Sequence, residues 1–333
     1  MAKTKVVVMG GGTGTYTVLR GLAAYMDTID VTAIVSMADS GGSTGRLRDA
    51  YGMLPVGDAR MALTALARTD TVQQELLREL LQYRFSKGDG LTGHNFGNLL
   101  LVALSDMLGS EAAAITAAGR LFSVHGTVLP ITTDQVTLCA EYTDGSVARG
   151  EHLIDVPPPA RHSLGVARLY LEGRHELHSP ACAALQQADC IIVGPGDLYS
   201  SLLATAVVDG VAAAVQDSAA KCIYIGNIMT RPGQTVGLSA SGHRAEITRY
   251  FGRAPDVTII NNALLPPSGL AAYAAQGTRP VVDDLPQNNS VHRAALLAPA
   301  LAPSVAHDTV SRSYIRHDSR LLASALQNHL HRT

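Results

Sequence analysis

Lys5-Val6-Val7-Val8-Met9-Gly10-Gly11-Gly12-Thr13-Gly14 is the stretch that decides the fold class. A short β-branched run ends in glycines and leads directly into the helix-like Val18-Leu19-Arg20-Gly21-Leu22. That is the strand–turn–helix opening of a parallel α/β sheet, and the run is too continuously apolar for a half-exposed strand. The same rhythm returns at residues 31–36, 190–193, 222–225 and 257–260. The expectation is a Rossmann-like, doubly wound, mainly parallel α/β sheet.

Between these strands two stretches break the pattern. From about 58 to 122 the chain looks helical, with Asp58 placed as the N-cap of an Ala/Leu-rich stretch to Ala67 and a further amphipathic segment over residues 96–108. The mainly helical character extends towards Ala140. From about 136 to 150 residues alternate around Asp144-Gly145, which predicts a small antiparallel hairpin with a type I′ turn. Pro157-Pro158-Pro159 fits a loop rather than a domain linker, so the whole of 1–333 is expected to form one domain. The apolar stretch 297–305 carries Pro299 and Pro303; it is expected to connect to a last helix over 319–329 and is a candidate homo-oligomer contact.

Composition narrows the function classes. Of 333 residues 47% are hydrophobic, enough for a sizeable core, which excludes disorder. With 26 basic and 28 acidic residues, a net charge of −2, the chain carries no field to hold nucleic acid. Cys139, Cys182, Cys190 and Cys222 show no CxxC spacing and are expected to be reduced core residues. The first apolar run reaches glycine after four residues, so it is a strand and not a signal peptide, and no run approaches a membrane span. A cytoplasmic protein is expected.

The chemistry gathers in loops that follow strands. After the first strand, Gly11, Gly12, Thr13 and Gly14 let backbone N–H groups and a helix N-terminus face an anion; a tight turn needing positive φ is the plainer alternative. G-x-G-x-x-G fails because Thr15 stands where the third glycine belongs, and a Walker loop fails because Gly14-Thr15-Tyr16 replaces Gly-Lys-Ser/Thr. After the second strand, Asp39, Gly42, Ser43 and Thr44, with Arg46, suit phosphate oxygens, while Asp39 could accept from a ribose hydroxyl or hold a hydrated cation. A mobile polar loop is the alternative. In Thr92-Gly93-His94-Asn95-Phe96-Gly97-Asn98, Asn98 could orient a ligand, Asn95 could cap the following helix, and His94 is better taken as structural than as an acid–base group. Gly194, Gly196 and Tyr199 follow the third of these strands, and Asn227, Thr230 and Gln234 the fourth. Ligands of open α/β sheets bind outside the strand C-termini, so these loops point to one shared crevice. No catalytic residue is assigned.

Several runs, in order and across nearly the whole chain, resemble the gluconeogenesis factor family, called YvcK-like: Gly10–Gly14, Ala38-Asp39 with 41–48, Pro55-Val56-Gly57-Asp58 with Arg60, Thr92-Gly93-His94 with Gly97-Asn98, 193–196 with Leu198-Tyr199-Ser200, Asn227 with Met229-Thr230 and 232–235, and Ile315-Arg316-His317-Asp318. The resemblance implies a protein that binds uridine diphosphate N-acetylglucosamine, supports growth on gluconeogenic carbon sources and influences cell shape and peptidoglycan synthesis, with protein partners in cell-wall regulation and no required cofactor. It further implies binding roles for Tyr273, whose ring suits uracil stacking, and Arg316, whose guanidinium suits a diphosphate. A packed tyrosine and an ordinary surface arginine are the alternatives.

Ser40 stands where the family usually carries a second acid, which weakens any paired-carboxylate metal site, and none is expected. A weaker resemblance runs to 2-phospho-L-lactate transferase, an enzyme of deazaflavin cofactor biosynthesis that works with magnesium; it is the alternative function, and magnesium belongs only to it. An NAD-dependent oxidoreductase lacks its fingerprint, though NAD stays a candidate non-catalytic ligand.

Overall fold

The computed structural model describes residues 2–299 and 314–330. In chain order it forms β1 (Thr4–Gly10), α1 (Gly12–Leu22), β2 (Ile29–Val35), α2 (Gly42–Tyr51), α3 (Gly57–Leu66), α4 (Val72–Gln82), α5 (Phe96–Leu108), α6 (Glu111–Leu121) and β3 (Thr127–Pro130). Then come β4 (Thr137–Tyr142), β5 (Val147–Arg149), α7 (Glu151–Asp155), β6 (Val166–Glu172), β7 (Cys190–Val193), β8 (Lys221–Ile225), β9 (Val257–Asn261) and β10 (Val291–Ala294). Further helices separate β6 from β10, and Ser319–Leu330 is the last helix described.

Seven strands pair in the order β10-β9-β8-β7-β1-β2-β3, and every neighbouring pair is parallel. From β1 the chain builds outward through β2 to β3 on one side, and later from β7 to β10 on the other. The order therefore reverses between β1 and β7, and a crevice opens there at the strands' carboxyl ends. β1 is central for a physical reason. Val6, Val7, Val8 and Met9 are each at most 2% exposed, and burying such a side chain stabilises by roughly 1.5–3 kcal/mol. Helices flank this sheet, so both faces of its strands bury apolar side chains.

The helical stretch between β2 and β3 begins differently from expectation. Asp58 does not cap α3; Val56 holds the N-cap position and Asp58 lies in the first turn, its carboxylate turned to the loop after β1. α5 follows the expected bounds, with Asn95 capping it through its side chain and Gly109 closing it in a left-handed conformation. β3 is a strand inside a region expected to be helical; it is short, ends on Pro130 and sits at the sheet edge, where a missing N–H costs least.

The expected hairpin is present and gains β6, giving an antiparallel sheet of order β5-β4-β6. Its turn is not type I′, which needs left-handed backbone at both central residues. Gly145 has φ 82°, but among the described residues Ser123 is the one non-glycine with positive φ, so Asp144 does not qualify. The Gly145 N–H donates to the Tyr142 carbonyl at 2.9 Å and the Tyr142 N–H to the Ser146 carbonyl at 2.8 Å, closing a three-residue loop with a glycine bulge. All four cysteines are free, with Cys139, Cys190 and Cys222 buried and Cys182 half-buried. Most of the stretch 297–305, proposed above as a connection and oligomer contact, lies outside the described residues.

Candidate functional site

Because the large sheet is parallel, the loops after β1, β2, β7 and β8 emerge at one edge. They come close enough that side chains become obstacles. A Cβ on Gly14 would stand 2.1 Å from the carbonyl oxygen of Pro195, so the loops after β1 and β7 can meet only with glycine there. Gly12 takes φ 67°, so the turn reading of this loop also holds.

A cavity of about 730 Å³ opens at this junction. Thr13 and Gly14 from the first turn of α1 line it, together with Gly196, Asn227, Thr230, Tyr273 and Arg316. Seven of the seventeen residues expected to bind ligand thus share one cavity. The Ile315 N–H lies 3.5 Å from the Tyr273 hydroxyl, and the Tyr273 and Tyr314 rings meet edge to face with centroids 5.5 Å apart, so the tyrosine is tied to the segment that carries Arg316. That segment is held in turn by backbone bonds from Ala298 to Arg316 and from Asp318 to Leu296. Asn227 donates to the Gly196 carbonyl at 2.7 Å and accepts from Tyr224, which fixes the loop after β7.

Sequence reasoning missed part of the lining. Arg20, Arg60 and Arg84 add cationic groups to Arg316, and such a set suits an anion with several oxygens. Arg60 donates to Asn98 at 2.9 Å and Arg84 to the Gly93 carbonyl at 2.9 Å, so both are oriented before any ligand arrives. His317, also in the lining, is buried enough to hold its imidazole neutral, at a pKa of about 4.

The other ten expected residues are not in the lining of that cavity. Asn98 and Ser43 belong to a buried network in which the Ser43 hydroxyl pairs with His94 at 3.2 Å and the Asn98 amide donates to Thr44 at 3.3 Å. These groups brace α2 against α5, and His94, held below its ordinary pKa by burial and by Arg46 and Arg84, is a structural partner here. Gly42 sits in the first turn of α2 beside them. Tyr199 is 2% exposed and its hydroxyl donates to Glu246 at 3.1 Å, away from the cavity. Gln234 is 1% exposed, and its amide has no partner among the described residues. Gly194 makes the turn after β7, with φ 85°. Gly11 and Gly12 face inward: the Asp58 carboxylate accepts from the Gly12 N–H at 2.7 Å, and a Cβ on Gly11 would collide with it.

Asp58 belongs to a half-buried acidic group around the first two loops. Burial, reinforced by Asp39, pushes its pKa up to about 7. Asp39 accepts from the Gly41 N–H at 2.9 Å, and burial raises its pKa as well. α7 brings Glu151 against the second loop, where it accepts from the Ser40 N–H at 3.4 Å; burial, then Asp39 and Asp155, raise it to about 9. Arg231 pairs with Asp155 at 2.7 Å and with Asp197 at 2.9 Å, and Asp197 is still pushed up to about 6 by its burial. Arg231 lies in a loop that sequence singled out, but Glu151 and Asp155 carry no local signal: only the tertiary arrival of α7 places them here.

The model of the family "2-phospho-L-lactate transferase CofD" matches residues 6–301. A gluconeogenesis factor of Bacillus subtilis is 35% identical over 329 residues, covering 97% of this chain and 97% of that one. The chain belongs to the gluconeogenesis factor family and carries its CofD domain. A gluconeogenesis factor of Halalkalibacterium halodurans is 37% identical over 285 residues, 85% of each chain. A crystal structure of a upf0052-family protein from Bacillus halodurans superposes with a TM-score of 0.86 at 32% identity, covering 98% of this chain and 99% of that one. The family's two descriptions pull in different directions, one naming a transferase and the other a factor.

The family's transferase description calls for a test of metal binding. Among the described residues no group of three His, Cys, Asp or Glu side chains is disposed to hold a metal ion. Asp39, Asp58 and Glu151 each already accept from a backbone N–H. No helix among the described residues is long and apolar enough to cross a membrane.

Proposed function

We propose that this protein is a nucleotide-sugar-binding regulator in the cytoplasm, with uridine diphosphate N-acetylglucosamine as its ligand. Its reach would be growth on gluconeogenic carbon sources, cell shape and peptidoglycan synthesis, through protein partners. One observation carries the ligand reading: Tyr273 and Arg316, more than forty residues apart in sequence, line the same cavity as the first turn of α1. An aromatic face for the base, a guanidinium for the diphosphate and a helix N-terminus for an anionic oxygen are the three groups such a ligand needs. Arg20, Arg60 and Arg84 reinforce the anion site, and no cofactor is called for.

The transferase reading draws on a specific observation too, the acidic group Asp39, Asp58 and Glu151 at the first two loops. It would need magnesium, which is why the ion is varied in the test. Calorimetric titration with uridine diphosphate N-acetylglucosamine, NAD, GDP and a deazaflavin, each with and without magnesium, separates the readings. Selective binding of the uridine sugar without turnover is expected. Magnesium-dependent deazaflavin binding with product formation would replace it by the transferase, and tighter binding of NAD would make NAD the non-catalytic ligand.

A further inference from the structure

Helix α4 has apolar side chains on two sides. On the inner side Leu81 is fully buried and Leu77 packs against the main core. On the outer side Val72, Leu76, Leu80 and Tyr83 follow one another at helical spacing and are 86%, 64%, 36% and 49% exposed. Single exposed hydrophobics are ordinary, but three in one row on one helix, continued by Tyr83 at its C-cap, are not. The helix does not need them for its own stability. Its start is held by a capping box between Thr71 and Gln74, and a β-branched valine in the first turn is a poor helix former.

Charge narrows what the row would meet. Glu75 and Glu79 are exposed along one border of it. The helix's arginine, Arg78, is turned inward, donating to the Tyr16 hydroxyl at 2.7 Å and to the Thr64 carbonyl at 3.2 Å, so the border stays negative. We propose that this face of α4 docks an amphipathic helix of another protein whose apolar row is bordered by lysine or arginine. The i, i+4 ridge of Val72, Leu76 and Leu80 is the kind that packs into the groove of a second helix. An anionic membrane surface is disfavoured by the same two glutamates. A second copy in antiparallel array about a two-fold axis would set its own glutamate border against this one. Tyr83 also lines the large cavity, as does Gln82, so the docked helix reaches its mouth. The inference goes beyond the nucleotide-sugar reading and does not depend on it.

The test uses two labelled synthetic helical peptides with the same leucine row, one bordered by lysine and one by glutamate, titrated by fluorescence anisotropy against the whole protein. The lysine peptide is expected to bind about tenfold or more tighter than the glutamate peptide, and Leu76→Asp to remove that binding. The double variant Glu75→Lys, Glu79→Lys should reverse the preference. Amide exchange should slow over residues 72–83 when the lysine peptide is bound. All three substituted residues are exposed, and circular dichroism with urea unfolding of each variant separates a folding fault from a docking fault. Equal binding of both peptides, or binding that survives Leu76→Asp, would overturn the proposal. So would dimerisation of the wild type that Leu76→Asp abolishes, which would give the face to a second copy.

Discussion

Replacing Asp58 by asparagine should stabilise the protein at alkaline pH, against the usual expectation for loss of a hydrogen-bonded carboxylate. Asp58 lies beneath the loop after β1 and accepts from the Gly12 N–H at 2.7 Å. Burial, then the charge of Asp39, lifts its pKa from 3.8 to about 7, while Gly12 and Arg60 pull the other way. In the unfolded chain the group ionises near its ordinary value. Below that value it is protonated in both states and contributes no difference. As pH rises from 3.8 to about 7 the unfolded chain gives up its proton first, so the folded state loses stability, and above about 7 the loss is complete. At about 1.4 kcal/mol per pH unit the ceiling is roughly 4 kcal/mol, and solvent reaching this part-exposed side chain reduces it to roughly 2 kcal/mol. Asparagine keeps an oxygen to accept from Gly12 and cannot ionise. Urea unfolding followed by circular dichroism in EDTA should find Asp58→Asn more stable by roughly 2 kcal/mol near pH 8.5, with the gap closing towards about pH 4.5. A gap that does not vary with pH, or a variant weaker than wild type near pH 8.5, would refute the account of this carboxylate.

Three further outcomes follow from the site. Tyr273→Ala and Arg316→Ala should each weaken uridine diphosphate N-acetylglucosamine binding about tenfold or more in calorimetry while leaving the fold intact by circular dichroism; unchanged affinity in both would remove the binding assignment. Gly14→Ala forces a Cβ to 2.1 Å from the Pro195 carbonyl and should cost about 1–3 kcal/mol of stability in chemical denaturation. Tyr199→Phe removes the bond to Glu246 and should cost about 1 kcal/mol in the same assay with ligand affinity unchanged, whereas a loss of affinity would return Tyr199 to the site.

The centre of the sheet was legible because buried parallel strands need continuous apolar runs, and β1, β7, β8 and β9 carry them. β3 and β10 were not: Thr127-Val128-Leu129-Pro130 is too short, and Val291-His292-Arg293-Ala294 too polar, for an edge strand to stand out from a loop. The polar loops were legible because parallel strands deliver them to one edge. Which of their side chains would face the cavity was not, since Tyr199 and Gln234 turn into the core beside residues that face outward. Tyr273 and Arg316 were reached through family resemblance alone, as neither lies in a loop after one of the recognised strands. Asp58 looked like a cap because an acid ahead of an Ala/Leu-rich stretch satisfies the local rule, and only the approach of Gly12 shows what it bonds instead.

The central pairing of β1 with β7 joins Val6 to Cys190. On a ribosome adding about 5–20 residues per second, one edge of β1 waits roughly ten to forty seconds for its partner strand to be made. During that interval a strand with four consecutive buried apolar residues, Val6 to Met9, offers an unpaired backbone edge to any other strand in reach. The crevice between the two halves is thus completed late in synthesis, and a nascent chain stalled before β7 would carry the glycine loop without the strand that forms the other wall, a species suited to aggregation and to capture by chaperones.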